Sequence, residues 1–268
     1  MTDHTADFRR WKKPPMIKNR WLRLLVFVGL PLYVALAFGS MEINWVRIIE
    51  GLPRGKDFIL SFATPDFVTR WADIQEGILE SIEMAVASTV VGILISIPIG
   101  LGAARNLAPT PVYLFCRGII SLSRALQEII VAILMVAIFG FGPFAGFLTL
   151  AFSTIGFLAK LLAEAIEDIN KSQSEAVRST GASWGQWILY GIQPQVFPRL
   201  IGLSMYRLDI NFRESAVLGI VGAGGIGATL NTAFDRYEFD TAAAVILIIV
   251  ALVMVAEYTS SWLRVKVQ

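Results

Sequence analysis

Residues 129–159 read IIVAILMVAIFGFGPFAGFLTLAFSTIGFLA, and no charged side chain interrupts them. A bilayer core is crossed by about 20 mostly apolar helical residues. This run is too long for one crossing, and Gly140, Gly142 and Pro143 divide it at a turn. Two apolar helices joined by a tight turn are the pattern of a polytopic α-helical membrane protein. The composition agrees. Of 268 residues, 55% are hydrophobic and 16% charged, against about 25% charged in soluble domains, and mean hydropathy is +0.63. Disorder, a collagen-like chain and a disulfide scaffold are excluded. A net charge of +2 argues against nucleic-acid binding through bulk charge.

Working outward, uncharged runs place further spans at 24–41 and 84–104. A third span covers 112–139, a fourth 144–165, a fifth 197–221 and a sixth 241–262. The first starts after a long basic tail and lacks a small-residue cleavage site, so it is expected to remain as a span. Residues 42–77 read as a mixed polar loop punctuated by Pro53, Gly55 and Pro65. Pro98 and Gly100 are expected to bend the second span. Six spans put both termini on one side. The tail carries Arg9, Arg10, Lys12, Lys13, Lys18, Arg20 and Arg23 against Asp3 and Asp7, whereas acids outnumber bases in 42–77. Positive charge stays inside, so both termini are expected to be cytoplasmic, with 42–77 and the glycine-rich loop outside.

Little here supports catalysis. Cys116 is the single cysteine, which rules out an internal disulfide, and His4 is the single histidine. A transition-metal site and a nucleophile–base set therefore lack residues. No G-x-x-x-x-G-K-[ST] loop is present, so ATP hydrolysis is not expected in this chain. Gly222-Ala223-Gly224-Gly225-Ile226-Gly227 fits G-x-G-x-x-G, with Asp240 near the spacing of a ribose-binding acid. A dinucleotide site needs a βαβ unit around that motif, and here a long apolar run follows instead.

Between the fourth and fifth spans stands Glu175-Ala176-Val177-Arg178-Ser179-Thr180-Gly181, followed by Trp184, Trp187, Ile188, Tyr190 and Pro194. By itself this is a short polar helix with small residues, a turn at Gly181 and an aromatic amphipathic stretch. Such a helix suits a partner's groove; an interfacial loop with tryptophans at headgroup level fits equally. The segment resembles the E-A-A motif of ABC importer permeases, with Glu175, Ala176, Gly181 and Pro194 on the motif's spacing. Val177, Gly191 and Gln193 depart from it. The ending Ala216-Val217-Leu218-Gly219-Ile220-Val221-Gly222-Ala223-Gly224-Gly225-Ile226-Gly227, preceded by Asn211-Phe212-Arg213, resembles phosphonate-importer permeases. So does Arg124-Ala125-Leu126-Gln127-Glu128, with Gln127 where that family has proline.

The resemblance implies an all-α, polytopic fold of the type I importer-permease kind, similar to methionine permeases, in a bacterial inner membrane. It divides the chain into a basic tail (1–23), a first span and outer loop (24–77), a permease core (78–262) holding a coupling segment (166–195), and a C-terminus (263–268). It implies a homodimer, two ATPase subunits that bind ATP and magnesium, an extracytoplasmic binding protein, and transport of phosphonate or a related phosphorus oxyanion. Glu175, Ala176, Gly181 and Pro194 then couple to the ATPase. Apart from the resemblance, glycine permits close backbone approach, so Gly222, Gly224, Gly225 and Gly227 are expected to form a gate lip or to pack on a partner subunit, with a plain tight turn as the alternative. A methionine-type permease and a stand-alone secondary transporter are the alternatives.

Charges within spans are costly and face protein or water. Arg124 and Glu128 are four apart, as are Asp209 and Arg213, with Glu214 adjacent. Each pair is expected to share a helix face. Arg213, near the glycine loop, is the expected contact for an anion, since a guanidinium donates two hydrogen bonds to such oxygens.

Overall fold

The computed structural model describes residues 17, 19–41 and 44–267, with side chains to 261. The basic residues from Arg9 to Lys18 and the side chains of Trp262, Arg264 and Lys266 lie outside the described residues. Two compact units divide at residues 56 and 57, and every described element is helical.

In the first unit, α1 (Arg20–Ser40) is capped by Asn19, whose side chain accepts from the Trp21 N–H at 3.1 Å. None of its residues is buried, as suits a helix clothed by lipid. The polar segment expected to be a loop instead forms α2 (Trp45–Ser61), which runs through Pro53 and Gly55 and on past the division into the second unit's residues. Apolar residues recurring every three to four positions outweigh these two weak helix formers.

The second unit contains α3 (Trp71–Ala103), α4 (Thr110–Ala125), α5 (Glu128–Phe139), α6 (Pro143–Glu167), α7 (Lys171–Ser179), α8 (Trp184–Trp187), α9 (Gln193–Ile220), α10 (Ile226–Asp235) and α11 (Phe239–Val267). The α2–α3 link is ordered by Asp66, which accepts from the N–H groups of Val68 and Thr69 at 2.8 and 3.1 Å. The Thr69 hydroxyl and these amides hold its carboxyl below the usual carboxylate range.

Among the described residues four helices (α1, α3, α6 and α11) are long and apolar enough to cross a membrane, and α4 and α5 meet that test only as a pair, bent by 94°. The expected third span is therefore broken at Leu126 and Gln127, without the proline. The expected fifth span lies within α9, which carries Arg199, Arg207, Asp209, Arg213 and Glu214 and is not apolar enough to count by composition. Pro98 sits inside an unbroken α3. Residues 231–235, expected in a polar loop, belong to α10.

The α3–α6 pair makes the most extensive packing. The buried face of α3 is a stripe of small residues: Gly77, Ser81, Ala85, Ser88, Gly92, Ser96, Gly100 and Ala103. Where lipid removes the hydrophobic drive for helix association, such stripes let backbones approach closely. A Cβ on Gly100 would lie 2.8 Å from Leu162 Cδ2. Gly100→Leu is expected to destabilise the protein by about 1–3 kcal/mol through overpacking, measured as a lower unfolding temperature in detergent, whereas Gly118→Leu, which meets nothing within 4 Å, should be neutral.

Candidate functional site

The break between α4 and α5 opens a cavity of about 420 Å³ lined by Ser123, Arg124, Gln127, Glu128, Ser153, Phe157, Arg207 and Glu214, among others. Arg207 organises it. Its side chain is 4% exposed. Nη2 donates to Glu128 at 3.0 Å, Glu214 at 3.2 Å and Ser153 Oγ at 2.8 Å, and Nε donates to Thr154 Oγ1 at 3.1 Å. The guanidinium lies 5.6 Å from the Phe157 ring centre. Ser153 donates its hydroxyl to Glu128. Thr154 extends the network to Asn211, whose Nδ2 donates to Thr154 at 3.0 Å, Thr89 at 2.8 Å and Ser88 at 3.3 Å. One polar chain thus joins α3, α5, α6 and α9 at membrane depth.

The sequence pairing of Arg124 with Glu128 fails. The helix ends at Ala125 and the next begins at Glu128, so four residues no longer bring the two side chains onto one face. Glu128 turns to Arg207 instead. Arg124 stays exposed on the cavity wall, and among the described residues no ion pair or hydrogen bond occupies it. Asp209 and Arg213 do pair, at 2.6 Å. Asp209 is buried with its second oxygen, Oδ1, unpartnered, while Arg213 is half exposed. Arg213 lines a separate, almost wholly apolar cavity between α9 and α11, away from the charged one. Arg207 is missing from the sequence-derived pairs, although it precedes Glu214 by seven residues, two turns on one face.

The glycine loop is packed. Gly222, Gly224 and Gly225 have φ of +87°, +77° and +76°, a region L side chains rarely adopt. The Gly225 N–H donates to Glu80 at 2.7 Å and the Ile226 N–H to Ser81 at 2.9 Å, so α3 caps the start of α10. The Gly142 N–H donates to the Gly222 carbonyl at 3.0 Å. Gly227 abuts the backbone of Ala216 and Gly219. The loop joins two helices, with no strand among the described residues, so the dinucleotide motif lacks its setting.

At the other functional segment, Asn170 caps α7 by accepting from the Ser172 N–H at 3.0 Å. Glu175 and Ala176 are exposed. Gly181, at φ +81°, ends α7 with open space around it. Ser183 and Gln186 form a capping box for α8. Trp187 donates to Ser174 Oγ at 2.8 Å and lies 5.2 Å from the Arg178 guanidinium. These contacts fasten α7 to the π-helical turn Ile188–Ile192 that leads into α9. Pro194 occupies the first turn of α9. Trp187 is thus a packing residue, while Trp184 remains exposed at 63%.

Several helices of crossing length and a polar cavity where a helix pair breaks describe a multi-pass membrane protein. Residues 96–266 match the family described as binding-protein-dependent transport system inner membrane component, and the chain belongs to that family. It is 38% identical over 229 residues to the phosphate-import permease protein PhnE of Mycolicibacterium smegmatis, covering 85% of this chain and 43% of that protein; the chain therefore spans under half of that relative's length. It is 36% identical over 232 residues to the putative phosphite transport system permease protein HtxC of Stutzerimonas stutzeri, covering 86% and 82%. The fold is similar to the MetNI methionine ABC transporter in an inward-facing form, with TM-score 0.66 and 23% identity over 74% of this chain and 97% of that one. The chain is a permease component, not an enzyme, and the family sets aside the stand-alone secondary carrier.

Removing Arg207 alone would leave two carboxylates facing each other without their cation, a loss of about 3–5 kcal/mol for a broken buried pair. Arg207→Ala is expected to lower the unfolding temperature sharply. Arg207→Met combined with Glu128→Gln and Glu214→Gln should recover a large part of the loss.

Proposed function

We propose that this chain is the membrane-spanning subunit of an ABC importer that carries phosphonate or a related phosphorus oxyanion into the cell. The observation that carries this is the charged cavity at the broken span. Arg207 is held by Glu128 and Glu214, and Arg213 by Asp209. Arg124 is the guanidinium on that cavity wall with no partner among the described residues. A planar guanidinium donating two parallel hydrogen bonds fits a tetrahedral oxyanion. Arg124 thereby replaces Arg213 as the anion contact. The printed functions of the relatives, phosphate import and phosphite transport, support the same substrate class. The methionine transporter supports the fold alone.

In this reading two copies of the chain enclose the pathway. Two ATPase subunits bind ATP and magnesium and dock on the segment around Glu175, Ala176 and Gly181, with Pro194 starting the helix that receives the motion. An extracytoplasmic binding protein delivers the anion at the end where Gly222, Gly224, Gly225 and Gly227 form the gate rim. Both termini and the 166–195 segment face the cytoplasm; residues 42–77 face outside. The 78–262 region is the permease core, following the 1–23 tail and the 24–77 segment, with 263–268 as a short cytoplasmic end. The Trp187–Ser174 bond and the short π-helical turn make α7 and the start of α9 one lever. Closure of the ATPases then rotates α9 and, through Arg207, the helices around the cavity.

Two experiments test this in the assembled transporter. Arg124→Ala is expected to weaken uptake of phosphite or phosphonate by roughly tenfold to a hundredfold, the value of a hydrogen bond to a charged group at about 1.5–3 kcal/mol, with Arg213→Ala affecting it less; equal transport by the wild type and Arg124→Ala would overturn the assignment. Gly181→Val forces a β-branched residue into positive φ, at about 1–3 kcal/mol of strain. It is expected to cut uptake while ATP hydrolysis ceases to respond to the loaded binding protein. A coupling ratio unchanged in both Gly181→Val and Glu175→Ala would refute the lever.

A further inference from the structure

Helix α2 has no assigned role, and its sequence is sharply two-sided. On a 3.6-residue period Trp45, Ile48, Ile49, Leu52 and Ile59 fall on one side. Arg47, Glu50, Arg54 and Asp57 fall on the other. The apolar side is bare: Trp45 is 66% exposed, Ile49 65% and Leu52 64%, and no residue of the helix is buried. Lys56 is the charge on the apolar side, and its aliphatic stem is long enough to return the ammonium to the polar layer.

The start of α2 follows a helix of crossing length, and its last residues pack within the second unit. At the start, α1 is 21 residues long, about 31 Å, which matches the roughly 30 Å hydrocarbon core. Residues 41–44 then link it to Trp45, a reach of at most about 14 Å. At the far end, Phe58 stacks 5.6 Å from Phe239 and 6.0 Å from Phe234. Phe239 is the first residue of α11, where an apolar crossing begins. The Asp66 N–H, just beyond α2, donates to the Asp240 carbonyl at 3.2 Å. A two-sided helix of 17 residues, about 25 Å long, that directly follows a crossing is placed to lie along the surface. Its Trp45 is the residue type that settles at headgroup level.

We propose that α2 lies in the bilayer interface, with its apolar face seated among lipid headgroups and upper acyl chains. The occupant of the bare face is lipid, since the crossing before it brings it to the depth where an amphipathic helix is stable.

The test is site-directed spin labelling of the whole transporter in liposomes, in a Cys116→Ser background that leaves one label per chain. Labels are placed at Ile49→Cys and Leu52→Cys on the apolar face and at Arg54→Cys on the polar face. Oxygen, which concentrates in lipid, is expected to relax the labels at 49 and 52 with an oxygen-to-nickel-chelate ratio several-fold higher than at 54. The water-soluble nickel chelate is expected to reach 54 preferentially. Equal nickel access at all three positions would mean that the helix stands in water and would overturn the proposal. So would exclusion of both reagents at 49 and 52, the result expected if a second copy or the binding protein covers the face.

Discussion

The arrangement around the cavity depends on one buried guanidinium. A guanidinium is a charged group, and at membrane depth an isolated charge is expensive. The position of Arg207 is tolerable because Glu128 on α5, Glu214 on its own helix, Ser153 and Thr154 on α6 surround it. Those groups are delivered by three different helices. The break after α4 presents Glu128, and the close α3–α6 packing presents Thr154 to both Arg207 and Asn211. Three helices are thereby registered against α9 by polar contacts in a setting where apolar side chains gain little from one another over lipid.

The same economy governs the glycine-rich end. Its loop carries no large side chain, yet it is fixed from three directions: by Glu80 and Ser81 on α3, by the turn between α5 and α6, and by the backbone of α9. Backbone amides that would be orphans at the start of α10 find acceptors on α3. The α7–α8 end follows a contrasting plan, with Glu175, Ala176 and Gly181 left open and Trp187 and the caps holding the segment's shape.

Much of this was legible in the sequence, and for identifiable reasons. Apolar runs of bilayer length announce crossings because lipid allows few other solutions. The spacing from Glu175 through Gly181 to Pro194 survives as helix, left-handed turn and helix start because glycine and proline fix those backbone angles themselves. What escaped the sequence depends on tertiary context. Gln127 has no intrinsic power to break a helix, so the bend at Leu126 and Gln127 is invisible locally, and with it the true partner of Glu128. Arg207 went unnoticed because its carboxylate on α9 lies seven residues away and its other partners come from other helices. Residues 42–61 looked like a loop because Pro53 and Gly55 are weak helix formers, while the period of their apolar neighbours argued the other way.

The 94° bend also has a consequence for hydration. A helix end leaves its last carbonyls, and the next helix its first amides, without partners inside the helix. At the start of α5 the Gln127 carbonyl takes the N–H groups of Ile130 and Val131, and no side chain caps the amides before them. Hydrocarbon offers such groups nothing. Water is the partner such groups need at the break, and the helix that remains beyond it, α5, is 12 residues or about 18 Å. A nonpolar layer of that length presents a lower dielectric barrier to any charge than a full crossing does.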